Sequence, residues 1–218
     1  MATVGTNKLN LYNGALIECG EGRLSSVTEL RKPRYLLDDV YDRVLEECLQ
    51  AGDWNFALRE VKAAADTTVT ESFGFTETIG KPTDWIRTAA ISASDNYNPP
   101  LLDAEYQDNT DHWATNQTPI YVKYVSNDAE WGLRLDAWPA SFTRYVEVAL
   151  ADRIIIALTQ NMNDKERLER LALPRAKRNA LGKDAQNSGT RFPRTSTWNN
   201  ARGSRNGAER GNWSSFTG

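Results

Sequence analysis

The stretch 142–159, FTRYVEVALADRIIIALT, decides the fold. Phe142, Val146, Ala149, Leu150, Ile154, Ala157 and Leu158 recur at helical spacing, and Ile155 and Ile156 widen that stripe until apolar side chains run almost all the way round. A helix of this kind has to be enclosed, so the spacing predicts a core helix over 140–160 with near-total burial. Glu147, Asp152 and Arg153 interrupt the run. It therefore falls far short of the roughly 20 apolar residues that span a bilayer, and no membrane segment is expected.

The enclosing elements are read outward from it. In 34–50, RYLLDDVYDRVLEECLQ, one face holds Leu36, Leu37, Val40, Tyr41, Val44, Leu45, Cys48 and Leu49. Asp38, Asp39, Asp42, Arg43, Glu46 and Glu47 take the other, and Gly52 ends the helix. Further upstream, Leu9, Tyr12, Leu16 and Cys19 predict a helix over 7–19, stopped by Gly20-Glu21-Gly22. Ser26 and Glu29 have capping-box spacing, but Pro33 follows too closely for a long helix to start there. Trp54 and Phe56 are read as opening a short helix that runs to Ala64. Downstream, Asn163 with Glu166 three residues later predicts a last helix over 164–186, kinked at Pro174. It carries Lys165, Arg167, Arg170, Arg175, Lys177, Arg178 and Lys183.

Between Thr67 and Val125 the period changes. Segments 69–78, 84–91, 105–107 and 120–125 read as short strands, with Lys81-Pro82 as a turn, which predicts one small antiparallel sheet of four or five strands over 67–126. The fold class is thus α+β. A mainly helical body of three to four helices occupies 1–187, a small antiparallel β-sheet is inserted into it, and an extended C-terminal arm forms 188–218.

The chain has 218 residues, 40% of them hydrophobic and 25% charged, with a mean hydropathy of −0.59. That is enough for a core without disulfides or metal. Cys19 and Cys48 are expected as reduced core residues. The first eight residues lack the charged-then-apolar build of a signal peptide, so the chain is expected to fold where it is made.

The net charge of −3 conceals two opposed parts. Residues 1–163 hold 14 Lys and Arg against 24 Asp and Glu, a balance of −10, whereas residues 164–218 hold 12 against 5, a balance of +7. An acidic body with a basic end suits either self-complementary assembly or an acidic partner for the end alone. After Asn187 the sequence contains no Val, Ile, Leu or Met, and Gly, Ser, Asn, Thr and Arg supply 23 of the last 31 residues. Such a segment cannot bury enough apolar surface to order alone. Phe192, Trp198, Trp213 and Phe216 are nevertheless spaced through it with Arg191, Arg194, Arg202, Arg205 and Arg210. Aromatic anchors with arginines suit a segment that orders on a partner.

Chemistry-bearing motifs are scarce. His112 is the single histidine, in a setting that reads as a surface loop or strand end, and neither Cys-x-x-Cys nor His-Glu-x-x-His occurs. No phosphate-cradling Gly-Lys-Ser or Gly-Lys-Thr is present. The carboxylate pairs Asp38-Asp39 and Glu46-Glu47 read as solvated charge rather than a hydrolytic pair. No enzymatic activity, cofactor or metal is expected. A nucleic-acid binder using the basic C-terminal region is one alternative, opposed by the acidic body.

The order of the pieces resembles the tail tubular protein A family of bacteriophages, the head-to-tail adaptors of short-tailed phages. The resemblance is carried by Ile17-Glu18-Cys19-Gly20-Glu21, Gly52-Asp53-Trp54-Asn55-Phe56-Ala57, Lys81-Pro82-Thr83-Asp84-Trp85-Ile86-Arg87, Tyr121-Val122-Lys123-Tyr124, Trp138-Pro139-Ala140-Ser141-Phe142, Ala149-Leu150-Ala151 and the helix containing Ala176 to Asp184. It spans 9–187 by order and spacing. It implies a structural virion protein, a ring of typically twelve subunits between the capsid portal and the tail nozzle. Genomic DNA would pass through that ring without sequence-specific binding. The implied location is the head-tail junction of the virion, and the host cytoplasm during assembly. Portal docking would fall on the arm, through Phe192, Trp198, Trp213, Phe216 and the five arginines named above. An acidic channel wall would repel phosphates and let DNA slide. The other alternative is a virion-associated cell-wall hydrolase, which demands two carboxyls across a cleft.

Overall fold

The computed structural model describes residues 7–66, 74–97, 100–102 and 105–187. Helix α1 (Lys8–Glu18) starts at Asn7, whose side chain accepts the Asn10 N–H at 2.9 Å, and ends where Gly20 turns to a φ of +74°. Pro33 sits in the first turn of α2 (Lys32–Gln50), where its missing N–H costs nothing. The Ser26–Glu29 segment forms a tight turn instead of a helix, with the Glu29 carboxylate accepting the Ser25 backbone N–H at 2.7 Å.

Six strands follow among the described residues: β1 (Leu58–Ala63), β2 (Glu77–Gly80), β3 (Trp85–Ser92), β4 (Tyr106–Asp108), β5 (His112–Thr115) and β6 (Ile120–Ser126). They make two antiparallel three-stranded sheets, ordered β1-β6-β3 and β2-β5-β4. The single sheet expected from sequence is thus two. The expected helix running to Ala64 is strand β1, which pairs with β6 along its whole length, from Leu58 opposite Val125 to Ala63 opposite Ile120. Leu58–Ala63 contains good helix formers, and pairing with a buried central strand overrides that preference. The insertion accordingly starts at 58 rather than 67. The expected strand over 69–78 is described only from residue 74 onward, where it becomes β2; residues 69–73 lie outside the described residues.

After the short 3₁₀ turn Leu135–Ala137, α3 (Ala140–Thr159) runs through the centre and packs against α1, α2 and the last helix. Its Phe142 is 1% exposed and lies 4.7 Å from Trp54, 4.8 Å from Phe56 and 4.9 Å from Trp138, measured between ring centroids. Trp54 and Trp138 satisfy their indole N–H groups on the Cys48 and Gly132 carbonyls. Cys19 and Cys48 are buried free thiols. Burial of α3 is less complete than its composition suggests: Ile156 is 38% exposed.

The last helix is continuous but composite: α4 (Met162–Arg167), a π-helical stretch over Leu168–Ala172, and α5 (Leu173–Asn187). Asn161, not Asn163, is the cap, its side chain accepting the Asn163 N–H at 3.0 Å. The irregularity lies just before Pro174. Leu173 donates to the Leu168 carbonyl five residues back, and this wider turn accommodates the proline ring without ending the helix.

The sheets carry a second, smaller core of Ile79, Ile91, Trp113, Ile120, Val122 and Tyr124. In β6, residues 120, 122 and 124 face this core while Val125 joins the helical one, so a single strand fastens sheet to helices. Lys81 ties the β2-β5-β4 sheet to β3: its ammonium lies 3.4 Å from the Trp85 ring centroid and pairs with Asp108.

Candidate functional site

Among the described residues, two helix faces carry exposed charged side chains that make no ion pair. The first lies along the last helix. Leu168 is fully buried and Ala180 nearly so, which fixes the helix against α3 and turns Arg170, Leu171, Arg175, Arg178 and Lys183 outward. A cleft of about 540 Å³ opens between α1, α3 and this helix. Its floor is Val148, Ala172 and Ala176, and its rim Glu18, Arg144, Arg167, Arg175 and Asn179. Glu18 is the carboxylate on that rim, and it is held by Arg144 at 2.6 Å. The arrangement does not present the carboxylate pair that glycoside hydrolysis requires.

The basic residues of this helix differ in how they are compensated. Lys165 pairs with Asp152 at 2.7 Å, Arg170 with Glu166 at 2.8 Å, and Arg167 approaches Asp164 at 3.9 Å. Arg175, Lys177, Arg178 and Lys183 make no ion pair among the described residues. The second half of the helix is therefore the net positive part.

The second face is on α2. Two of its six outward charges are consumed inside the body. Asp38 accepts from the Tyr12 hydroxyl and from Arg34, both at 2.6 Å, with Lys8 at 3.3 Å; these partners outweigh the opposing effect of burial and hold its carboxyl below the usual range. Glu47 pairs with Arg153 of α3 at 2.6 Å. Asp39, Asp42 and Glu46 are exposed and make no ion pair among the described residues. Of the pairs Asp38-Asp39 and Glu46-Glu47, expected as solvated charge, Asp39 and Glu46 are exposed without an ion pair, whereas Asp38 and Glu47 are paired.

Two further carboxylates have raised pKa values, a common mark of catalytic groups. Glu147 of α3 is raised mainly by burial, against Gly14 of α1, with Arg144 opposing the shift. Asp184 is raised by burial although it accepts from Asn55. Neither lines the cleft beside Glu18, so both read as packing features. His112 begins β5, with its ring nitrogens 2.6 Å from Asp111 and 2.9 Å from Asn109. Among the described residues no group of three or more His, Cys, Asp or Glu side chains is placed to hold a metal ion, and no helix is long and apolar enough to cross a membrane.

The arm residues Phe192, Trp198, Trp213, Phe216, Arg191, Arg194, Arg202, Arg205 and Arg210 lie outside the described residues. The cleft itself was missed from sequence, because Glu18 and Arg144 are far apart in the chain; the basic helix that walls it was not. No protein-family profile and no curated protein matches the chain.

Proposed function

We propose that this chain is a structural subunit of a head-to-tail adaptor ring, joining a capsid portal to a tail nozzle and lining part of the path of the ejected DNA. The observation that carries this reading is the element order. Two helices, a β-rich insertion over 58–126, an enclosed core helix and a terminal basic helix succeed one another, an order that supports the reading because the motifs of the adaptor resemblance lie along it in sequence, with residues 188–218 after them. Placement at the head-tail junction follows, as does assembly in the host cytoplasm. The arm residues named above then serve as portal anchors, with arginines making charge-assisted contacts. Exposed acids of the body, turned toward the channel, keep DNA from adhering.

The test mixes purified portal particles with the full chain and with a chain ending at Asn187, and images both. Rings at the portal vertex with the full chain, lost on truncation, support the reading and its assignment of docking to the arm. Absence of any ring with either chain overturns it. One observation favours a second reading, nucleic-acid binding: the uncompensated Arg175, Lys177, Arg178 and Lys183 on one helix. That reading requires duplex affinity that falls steeply as salt rises.

A further inference from the structure

We propose that copies of this chain associate directly, the outward stripe of α2 on one copy lying along the outward stripe of the last helix on the next. The inference rests on the ring reading above and names the surfaces that such a ring would join. On α2 the stripe is Tyr35, Asp39, Asp42 and Glu46, all exposed, at spacings i, i+4, i+7 and i+11. On the last helix it is Leu171, Arg175, Arg178 and Gly182, also exposed and at the same spacings. Leu171, Arg175 and Arg178 line one shallow depression, so they share a face despite the π turn nearby. At 1.5 Å per residue the acidic run from Asp39 to Glu46 covers about 10 Å of helix axis, and the two arginines about 5 Å of the facing one.

Laid parallel, the stripes set the exposed Tyr35 ring on Leu171, which is 68% exposed, Asp39 on Arg175 and Asp42 on Arg178, with Glu46 above the small Gly182. None of Asp39, Asp42, Glu46, Arg175 and Arg178 has an ion pair among the described residues. Both runs face solvent in the single chain, and the two arginines match two of the three acids in sign and spacing, Asp39 with Arg175 and Asp42 with Arg178. The arm of the same chain is a poor occupant of the basic stripe, because it carries five arginines against Glu209. The contact joins two different surfaces, so each copy keeps one stripe open for a further neighbour, as a ring requires.

The test uses the full chain and two reversals, Asp39→Lys with Asp42→Lys, and Arg175→Glu with Arg178→Glu. Solution mass is followed against concentration at low salt. Wild type is expected to grow in mass with concentration, and each reversal to weaken that association at least about tenfold. An equimolar mixture of the two reversed chains is expected to restore it, because the lysine stripe of one meets the glutamate stripe of the other and the two native stripes pair likewise. Restoration excludes misfolding as the cause of the loss. A wild type that stays monomeric, or reversals without effect on its association, overturns the proposal. So does failure of the mixture to recover, or a basic reversal that abolishes only binding to a DNA duplex probe. Rings that form on portals equally well with the reversed chains would sink this pairing and leave the adaptor reading standing. Paired wild-type chains that never seat on a portal would do the opposite.

Discussion

The carboxylate of Asp184, near the end of the last helix, accepts the backbone N–H of Asn55 at 3.1 Å and its side-chain amide at 3.0 Å, while that amide also reaches the Asp184 carbonyl at 2.8 Å. This clasp fixes the helix end beside the turn between α2 and β1, three residues before the body ends. Asp184→Ala leaves the Asn55 N–H without its acceptor and is expected to cost about 1–3 kcal/mol in denaturant unfolding. Asp184→Asn keeps an acceptor and should cost less. Burial raises the pKa of Asp184, so the folded chain binds that proton more tightly than the unfolded one. Its stability relative to Asp184→Asn should therefore rise as pH falls through the raised folded value, and reach its full gain below the ordinary carboxylate pKa of about 4. A pH series with no such rise refutes the assignment.

Asp84, at the start of β3, behaves in the opposite sense. It lies 2.9 Å from Arg59 of β1 and 3.2 Å from the Tyr124 hydroxyl of β6, and it accepts from Ser126 as well, so one carboxylate joins all three strands of the β1-β6-β3 sheet. Burial opposes its ionisation, yet the Ser126 and Arg59 bonds win and hold its pKa below the usual range. The stability it gives is present above the unfolded value of about 4 and is lost as pH falls through the folded one. Asp84→Ala should cost about 3 kcal/mol at neutral pH, shrinking in acid. Urea titrations at pH 7 and pH 3 measure both.

The contrast between these two clusters shows what was legible in the sequence. Helices α2 and α3 were readable because their apolar positions repeat within one turn of the next. So were the charged stripes of α2 and the last helix. Strand β1 was not, because its residues favour helix and only its partner β6, about sixty residues later, makes it a strand. The division into two sheets was hidden for a similar reason: register and partner choice are not properties of any one strand. The Asp184 clasp joins residues 129 apart and the Arg59–Asp84 pair residues 25 apart, and neither has a local signature. Ile156 misled because composition counts apolar residues without saying that α3 keeps one edge in solvent.

Phe142 is where the aromatic cluster converges, touching Trp54, Phe56 and Trp138. Phe142→Ala should cost about 3–5 kcal/mol, since three rigid rings cannot collapse into the space it leaves. Phe142→Leu should cost distinctly less. Equal losses for the two variants, read from thermal or denaturant midpoints, would show that the rings do repack.

Gly14 lies in the middle of α1 and has a helical partner in Glu147 of α3, whose carboxyl fills the space that a Cβ at position 14 would occupy. In an isolated helix, Gly to Ala gains about 1 kcal/mol. Here Gly14→Ala should destabilise instead, because Glu147 is half-buried and already bears the desolvation that raises its pKa. The displaced carboxylate must either rotate out, loosening its approach to Arg144 at 3.9 Å, or push α1 away from α3. Glu147→Ala removes the obstacle and the buried charge together. On that background Gly14→Ala should recover the ordinary helical gain, so the double variant should be the more stable by about 1 kcal/mol than Glu147→Ala alone. The sign change between the two backgrounds is the diagnostic quantity, and additive effects would show that the close approach of Glu147 does not set the requirement for glycine.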